Sequence, residues 1–564
     1  MQHHPRTIFP AFLAGTLAML LLLTSQAHAA PAPLPGDADH DGDVDGDDMR
    51  IVIHNFGASN LMQQRARSAT RRAALPGDLN ADGRVNIEDL DMVLAHWTGP
   101  APQRVAQPNI VMVYVDDMGY GDVAAFGADD LVTPNLDRMA QQGVKLTHCY
   151  NSSSACSTSR AALLTGCYHS RVSIHTVFPP SSNQGLNPDE ITIAELLQGV
   201  DYDTAMVGKW HLGHPESLMP YNQGFEHFYG IPVSHDYKTV PGFNNRVPLY
   251  EKIPGQPVQV IDTIRWNDTG PKGEIQFYTQ RFTQRAIDFI EQSRDQPFFL
   301  YVAYCMPHVA LAATSPFNGV SKRGLYGDVM AEIDAGIGDI LASLEDQGIA
   351  GDTVVVFASD NGPWLSYGNH SGSPGPLREG KRTVFDGGVR TPAIVYWPGQ
   401  VPGMPCDAPV AVMDFYATFA AWAGAALPTD RTIDAVDLSP LLLRDTSAED
   451  YDAQRPIALY DYRSRSLHAI RMGKWKLVFP HNYETVNNAG NDGAGGSYTF
   501  VATPLALFDM EADPGETTNL AGAFPAVVQA LNAAADVIRA DLGDNATGTP
   551  ASDQVRPIGV DAGL

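Results

Sequence analysis

Asn109-Ile110-Val111-Met112-Val113-Tyr114-Val115-Asp116-Asp117 is an uninterrupted apolar run that ends at once in two carboxylates. Rich in β-branched side chains and without polar alternation, it reads as a strand buried on both faces. Three more runs repeat the arrangement: 298–304 leads to Pro307-His308, 204–207 to Gly208-Lys209-Trp210-His211, and 353–359 to Asp360-Asn361-Gly362. Helical periodicity intervenes at 192–197, 279–293 and 329–346. Strands alternating with helices predict an α/β fold with a parallel sheet covered on both faces. Such sheets bind ligands outside the carboxyl ends of their strands, so the four polar clusters are expected to converge.

What converges is chemically selective. Asp116, Asp117, Asp360 and Asn361 offer only oxygen, which suits Ca²⁺ or Mg²⁺ better than zinc. Arg160, Lys209 and Lys381 add fixed positive charge, and His211 and His308 are available for proton transfer. Three carboxylates against three fixed cations and a divalent ion leave the site about two positive charges, which favours an oxyanion ester. Cys156-Ser157-Thr158-Ser159-Arg160 opens the helical stretch 161–166. That spacing places Cys156 and Arg160 on one helix face, with the thiol at the positive helix end, where a lowered pKa is expected.

Outward from this core, 1–29 reads as a secretory signal peptide with an Ala27-His28-Ala29 cleavage site, so a secreted or periplasmic protein is expected. Later stretches are all too short for a membrane span. The net charge of −27 argues against nucleic acid as a partner. Five cysteines leave at least one unpaired; the four besides Cys156 could form two bridges or stay as buried thiols. Between the signal peptide and the first strand the chain repeats itself with a period of 41 residues. Asp37, Asp39, Asp41 and Asp48 align with Asp78, Asn80, Asp82 and Asp89, with Gly42 and Gly83 at the sixth position of each loop. This is the ligand spacing of an EF-hand-type calcium loop, and both loops run into apolar helical stretches. The pair, spanning 36–99, resembles a dockerin module. That resemblance implies two further Ca²⁺ ions and a cohesin-like partner. The arginine-rich 63–74 between the loops reads as a linker.

The order of motifs carries a second resemblance. Asp116-Asp117-Met118-Gly119-Tyr120-Gly121-Asp122, Cys156-Ser157-Thr158-Ser159-Arg160, Gly208-Lys209-Trp210-His211-Leu212-Gly213, Ser359-Asp360-Asn361-Gly362 and the stretch from Gly380-Lys381 to Thr391-Pro392 are similar to the successive signatures of the type I, formylglycine-dependent sulfatases. The likeness runs from 108 to about 542. It implies an alkaline-phosphatase-like fold: a large mixed sheet flanked by helices over 108–430, a smaller C-terminal α+β subdomain over 431–545, and a tail over 546–564. It also implies that Cys156 is oxidised by a formylglycine-generating enzyme, and that one hydroxyl of the hydrate attacks sulfur while the other later allows sulfate to leave. Asp116, Asp117, Asp360 and Asn361 would hold Ca²⁺ beside the modified Cys156. Arg160 and Lys209 would hold the hydrate, His211 would act as base, and His308 and Lys381 would grip the sulfate and protonate the leaving oxygen. The chain departs from the pattern at Thr158, where the family has Pro or Ala inside the motif that the modifying enzyme reads.

The expected activity is removal of sulfate from a sulfated carbohydrate or an aryl sulfate. Loops 233–266 and 364–376 should choose the substrate. Strand-like 457–462 and 475–479 and a helix near 526–542 form the C-terminal unit. A phosphohydrolase of the same superfamily and a non-catalytic binder of sulfated glycans are the alternatives.

Overall fold

A computed structural model describes residues 107–561, apart from 238–239, 244–245, 266–273, 294 and 444–453. The signal peptide, the paired acidic loops at 37–48 and 78–89, and the arginine-rich linker lie outside the described residues.

β1 (Asn109–Val115) is buried along its whole length. Val111, Val113 and Val115 enter one apolar cluster, and Ile110, Met112 and Tyr114 enter another on the opposite face, as the two-residue period of a strand requires. The main sheet also contains β2 (Val144–Tyr150), β3 (Asp203–Lys209), β4 (His227–Ile231), β5 (Arg246–Lys252), β6 (Gln259–Arg265), β7 (Phe298–Ala303), β8 (Thr353–Ser359) and β9 (Arg390–Tyr396). Their order is β2-β9-β8-β1-β7-β3-β4-β5-β6, with two-residue strands Pro405–Cys406 and Val410–Ala411 beside β2. Helices α1 (Pro134–Gln142), α4 (Tyr278–Ser293) and α5 (Gly324–Asp346) cover one face through Leu136, Phe282 and Ile333. Helices α2 (Cys156–Thr165), α3 (Ile193–Gln198) and α6 (Asp414–Ala423) cover the other through Leu163, Leu197 and Phe419.

The parallel sheet read from strand–helix alternation forms the centre of a mixed one, as the family resemblance implied. β8, β1, β7, β3 and β4 are parallel, whereas β9 is antiparallel to both β8 and β2, and β4, β5 and β6 are antiparallel in turn. The reason lies in the connections. The segment 360–389 never crosses back over the sheet, so β9 starts at the end where β8 stops, and β5 and β6 are joined by a short turn that permits only antiparallel pairing.

The C-terminal residues form a second, four-stranded antiparallel sheet from β10 (Ile457–Tyr460), β11 (Leu467–Met472), β12 (Trp475–Val478) and β15 (Ala506–Asp509). Helix α7 (Pro525–Leu542) packs on it through Leu531 and Ala535. Among the described residues, β13 (His481–Asn488) and β14 (Ser497–Thr503) pair only with each other. The sequence reading anticipated β10, β12 and α7 but not the rest. β13 is polar at most positions, and β14 leaves Phe500 and Val501 exposed, so neither carries the apolar run of a buried strand. No helix among the described residues is long and apolar enough to cross a membrane. All five cysteines are free thiols, which removes the two-bridge option; Cys305 lies across the sheet from Cys149 and Cys167.

Candidate active site

The five parallel strands end on one side of the sheet, and the chain leaving each of them delivers a polar group there. β1 delivers Asp116 and Asp117, β8 delivers Asp360 and Asn361, β3 ends in Lys209, β7 leads to His308 and β4 to Ser234. Gly208 makes the turn to Lys209 possible: its φ is +114°, and a Cβ there would lie 2.0 Å from the Ala303 carbonyl oxygen. Asp117 and His211 are non-glycine residues at φ +66° and +58°. Such left-handed positions cost of order 1–3 kcal/mol and concentrate where side chains are held for a task.

Cys156 is the first residue of α2, a helix buried on every side and closed by Gly166 in the left-handed conformation. The Cys156 thiol donates to Asp116 Oδ1 at 3.3 Å, and Lys381 Nζ lies 3.4 Å from its sulfur. One turn on, as the spacing predicted, Arg160 Nε and Nη2 donate to Asp360 Oδ2 at 3.1 and 2.8 Å, and Nη1 donates to the Lys209 carbonyl at 2.9 Å. Lys209 Nζ contacts Asp116 Oδ2 and donates to Ser234 Oγ at 3.3 Å. Asp117 Oδ1 accepts from Lys381 Nζ at 2.5 Å and from Asn361 Nδ2 at 2.7 Å, while its other oxygen faces His308 Nε2 at 3.7 Å. His211 is buried, with its ring 6.0 Å from that of Tyr237.

The thiol is corrected in one respect. Burial and the Asp116 charge push Cys156 up, not down, outweighing Lys209, Lys381 and the helix end. Burial also works on Asp116, but the Lys209, His308, Arg160 and Lys381 charges hold it well below the usual carboxylate range. Asp360, buried beside Asp116, is pushed up to about 7. Burial and Lys209 keep His211 neutral, well below the ordinary imidazole value.

Ligand atoms of Asp116, Asp117, Cys156 and His308 lie within 4.8 Å of one another. Asp117 Oδ2 and Asn361 Oδ1 are buried without a hydrogen-bond partner, as are both ring nitrogens of His211. Buried oxygens left unpaired are costly unless something electropositive meets them, so this donor set fits a hard divalent cation. Asp360, like Asp116 with its oxygens on Cys156 and Lys209, stands differently from Asp117 and Asn361, which keep an unpaired oxygen. Asp360 Oδ2 is committed to Arg160, and its Oδ1 accepts the Asp117 N–H at 3.2 Å.

Sequence reasoning missed three side chains at this centre. Ser234 holds Lys209. Trp364 lies 4.6 Å under Lys381 Nζ, with its ring 5.3 Å from His308. Tyr498 accepts the Trp364 indole N–H at 2.6 Å and donates to Ser366 Oγ at 2.8 Å, so a hairpin of the C-terminal unit reaches the site. The only available signal was Trp364 at the head of the 364–376 loop.

Known proteins resemble this chain over most of the described residues. A family model for sulfatases matches 108–425, and one for the C-terminal region of aryl-sulfatase matches 453–557. The chain is 38% identical to arylsulfatase A of Homo sapiens over 460 residues, 78% of this chain and 89% of that protein. It is 36% identical to N-acetylgalactosamine-6-sulfatase of Canis lupus familiaris over 471 residues, 78% of this chain and 86% of that one. Its fold is similar to the crystal structure of PsFucS1 sulfatase from Pseudoalteromonas sp., with a TM-score of 0.69, 26% identity, and coverage of 80% of this chain and 93% of that one. The chain belongs to the sulfatase family of the alkaline phosphatase superfamily and is an enzyme that hydrolyses sulfate esters.

Proposed function

We propose that this is an exported, calcium-dependent carbohydrate sulfatase whose nucleophile is formylglycine made from Cys156. The observation that carries the reading is the meeting of Cys156 with Asp116, Lys381 and the unpaired Asp117 and Asn361 oxygens in one buried cluster. The Cys156 sulfur stands where the oxygens of the hydrated aldehyde would be, and an aldehyde hydrate supplies a hydroxyl nucleophile that a thiol with a raised pKa does not. Asp116, Asp117 and Asn361, with Asp360 behind them, would hold Ca²⁺, which supplies charge for the sulfate oxygens and the nucleophile. Lys209, fixed by Asp116 and Ser234, and Arg160, fixed by Asp360, hold positive charge beside Cys156. Neutral His211 is in the right state to take a proton, and His308 and Lys381, flanking Asp117, would bind the sulfate and return a proton to the leaving oxygen.

The substrate class rests on likeness to an N-acetylgalactosamine-6-sulfatase, and on the dockerin-like loops at 36–99, which would bind Ca²⁺ and a cohesin-like partner. The domain limits 108–430, 431–545 and 546–564 and the signal peptide 1–29 belong to the same reading. Thr158 is compatible with the helix start, since its hydroxyl donates to the Ala155 carbonyl at 2.7 Å. In its place the formylglycine-generating enzyme usually meets Pro or Ala, so partial conversion in a foreign host is expected, improving in Thr158→Pro. The test is turnover of matched aryl sulfate and aryl phosphate by full-length protein, with the formylglycine fraction read by peptide mass. Sulfate turnover should exceed phosphate turnover, scale with that fraction, vanish on chelation and return with Ca²⁺. Full activity with Cys156 entirely a thiol overturns the nucleophile, and zinc-dependent phosphatase activity alone overturns the substrate.

A further inference from the structure

Between the two sheets, away from the strand ends, lies an open cavity of about 520 Å³. One wall comes from the main sheet, with His148 and Arg390, and the other from the C-terminal sheet, with Arg471 and Lys474. Arg471 is 1% exposed, yet its Nε and Nη1 hydrogens meet no acceptor, while the guanidinium sits 6.0 Å over the ring of Tyr150. The other cations of the cavity are engaged: Arg390 Nε donates to the Thr147 carbonyl at 2.8 Å, and Lys474 pairs with Asp509 at 2.6 Å. A buried guanidinium with unmet donors, on the wall of a cavity that solvent and solutes can enter, lacks an acceptor. Burial first, then the Arg390 and Arg471 charges, push His148 down to about 4 against the Asp386 and Asp407 carboxylates. The cavity is far larger than a tetrahedral oxyanion needs, and its rim carries Asp407 and Glu511, which would repel a bare anion but accept hydrogen bonds from hydroxyls.

We propose that this cavity is a second saccharide-binding site, taking an anionic sugar unit with its charged group on Arg471 and its hydroxyls on Asp407 and Glu511. The choice of a sugar as carrier of the anion rests on the carbohydrate sulfatase reading above. In an enzyme acting on a polymer, such a site raises the local concentration of chain near the catalytic centre without any new catalytic contact.

A sulfated disaccharide titrated into full-length protein carrying Cys156→Ala should occupy two sites. Adding Arg471→Met should weaken one of them about tenfold or more, the worth of charge-assisted hydrogen bonds. Ala408→Trp, which fills the cavity from its lining without altering charge, should remove the same site. An unsulfated, carboxylated disaccharide run in parallel identifies the anionic group by which of the two binds better. In an otherwise unaltered chain, Arg471→Met should leave kcat/KM for a small aryl sulfate within about twofold, because the residue is outside the catalytic cluster. Two undiminished sites in both variants, or a single site in the starting protein, overturns the proposal. Loss of aryl sulfate turnover by the unaltered enzyme would instead remove the sulfatase reading and leave the cavity result standing.

Discussion

Asp116, Asp117 and Asp360 with Lys209, Lys381 and Arg160 make one buried charge cluster; Asp386 and Glu516 with Lys476 make another, beginning five residues along the chain from Lys381. The second closes on itself. Lys476 Nζ reaches Asp386 at 2.7 Å and Glu516 at 2.8 Å, Tyr150 donates to Asp386, and the Asp386 N–H donates to Glu516 at 2.7 Å. The first leaves Asp117 Oδ2, Asn361 Oδ1 and both His211 nitrogens without hydrogen bonds, Asp117 Oδ2 facing His308 at 3.7 Å, whereas Glu516 Oε1 of the second, also without a hydrogen bond, sits 2.8 Å from the Lys476 ammonium. Burial and ion pairing are common to both clusters, so neither marks a site. What separates a site from a girder is polar capacity left over, and the left-over atoms at Asp117 and Asn361 are acceptors, which ask for a cation.

The largest effect should separate the clusters by function. Cys156→Ala should lower sulfate ester turnover by on the order of 10³-fold or more while leaving thermal stability nearly unchanged, and Cys156→Ser should accept sulfate at most once. Parallel calorimetry and kinetics check both. Lys476→Met should do the reverse. Two buried carboxylates lose their cation, which costs about 3–5 kcal/mol of stability in urea unfolding, while folded molecules keep their kcat. Equal damage to turnover by both substitutions would erase the distinction drawn here.

A pH series sharpens it further. Burial, with Asp386 adding, raises Glu516 from 4.5 to about 7. A carboxyl whose folded pKa exceeds its unfolded value contributes stability that is present below the unfolded value and lost as pH rises through the folded one. Between pH 4.5 and 7 this group should therefore weaken the fold as pH rises, and Glu516→Gln should flatten that slope. Asp386, which burial would raise but Lys476 and Arg390 hold down to about 2, changes charge outside the window. The smallest effects test the bridge from the C-terminal hairpin. Trp364→Ala removes the ring beneath Lys381 and should lower kcat about tenfold. Tyr498→Phe removes only one hydrogen bond to that ring and should cost about threefold, with Tm unmoved. A KM change alone in either variant would assign Trp364 to substrate contact rather than to holding Lys381.

Most of the site was legible because its parts travel with local signals. Apolar runs that stop at Asp116, Lys209 and Asp360 announce both a buried strand and the place where it ends, and Cys156 and Arg160 share a helix face by spacing alone. From the chain by itself follow the α/β class, the oxygen-rich donor set, the excess of cations and the order of motifs that marks the family. Tertiary structure decided the rest. Whether Asp360 faces a metal or an arginine depends on Arg160, 200 residues away in sequence. The direction of the Cys156 shift depends on burial beside Asp116, which overrides the helix end. The antiparallel turn of β9, the free cysteines, and the approach of Tyr498 to Trp364 have no local signature either. Each is set by which distant segments pack together, and by how much water that packing removes from the charges they carry.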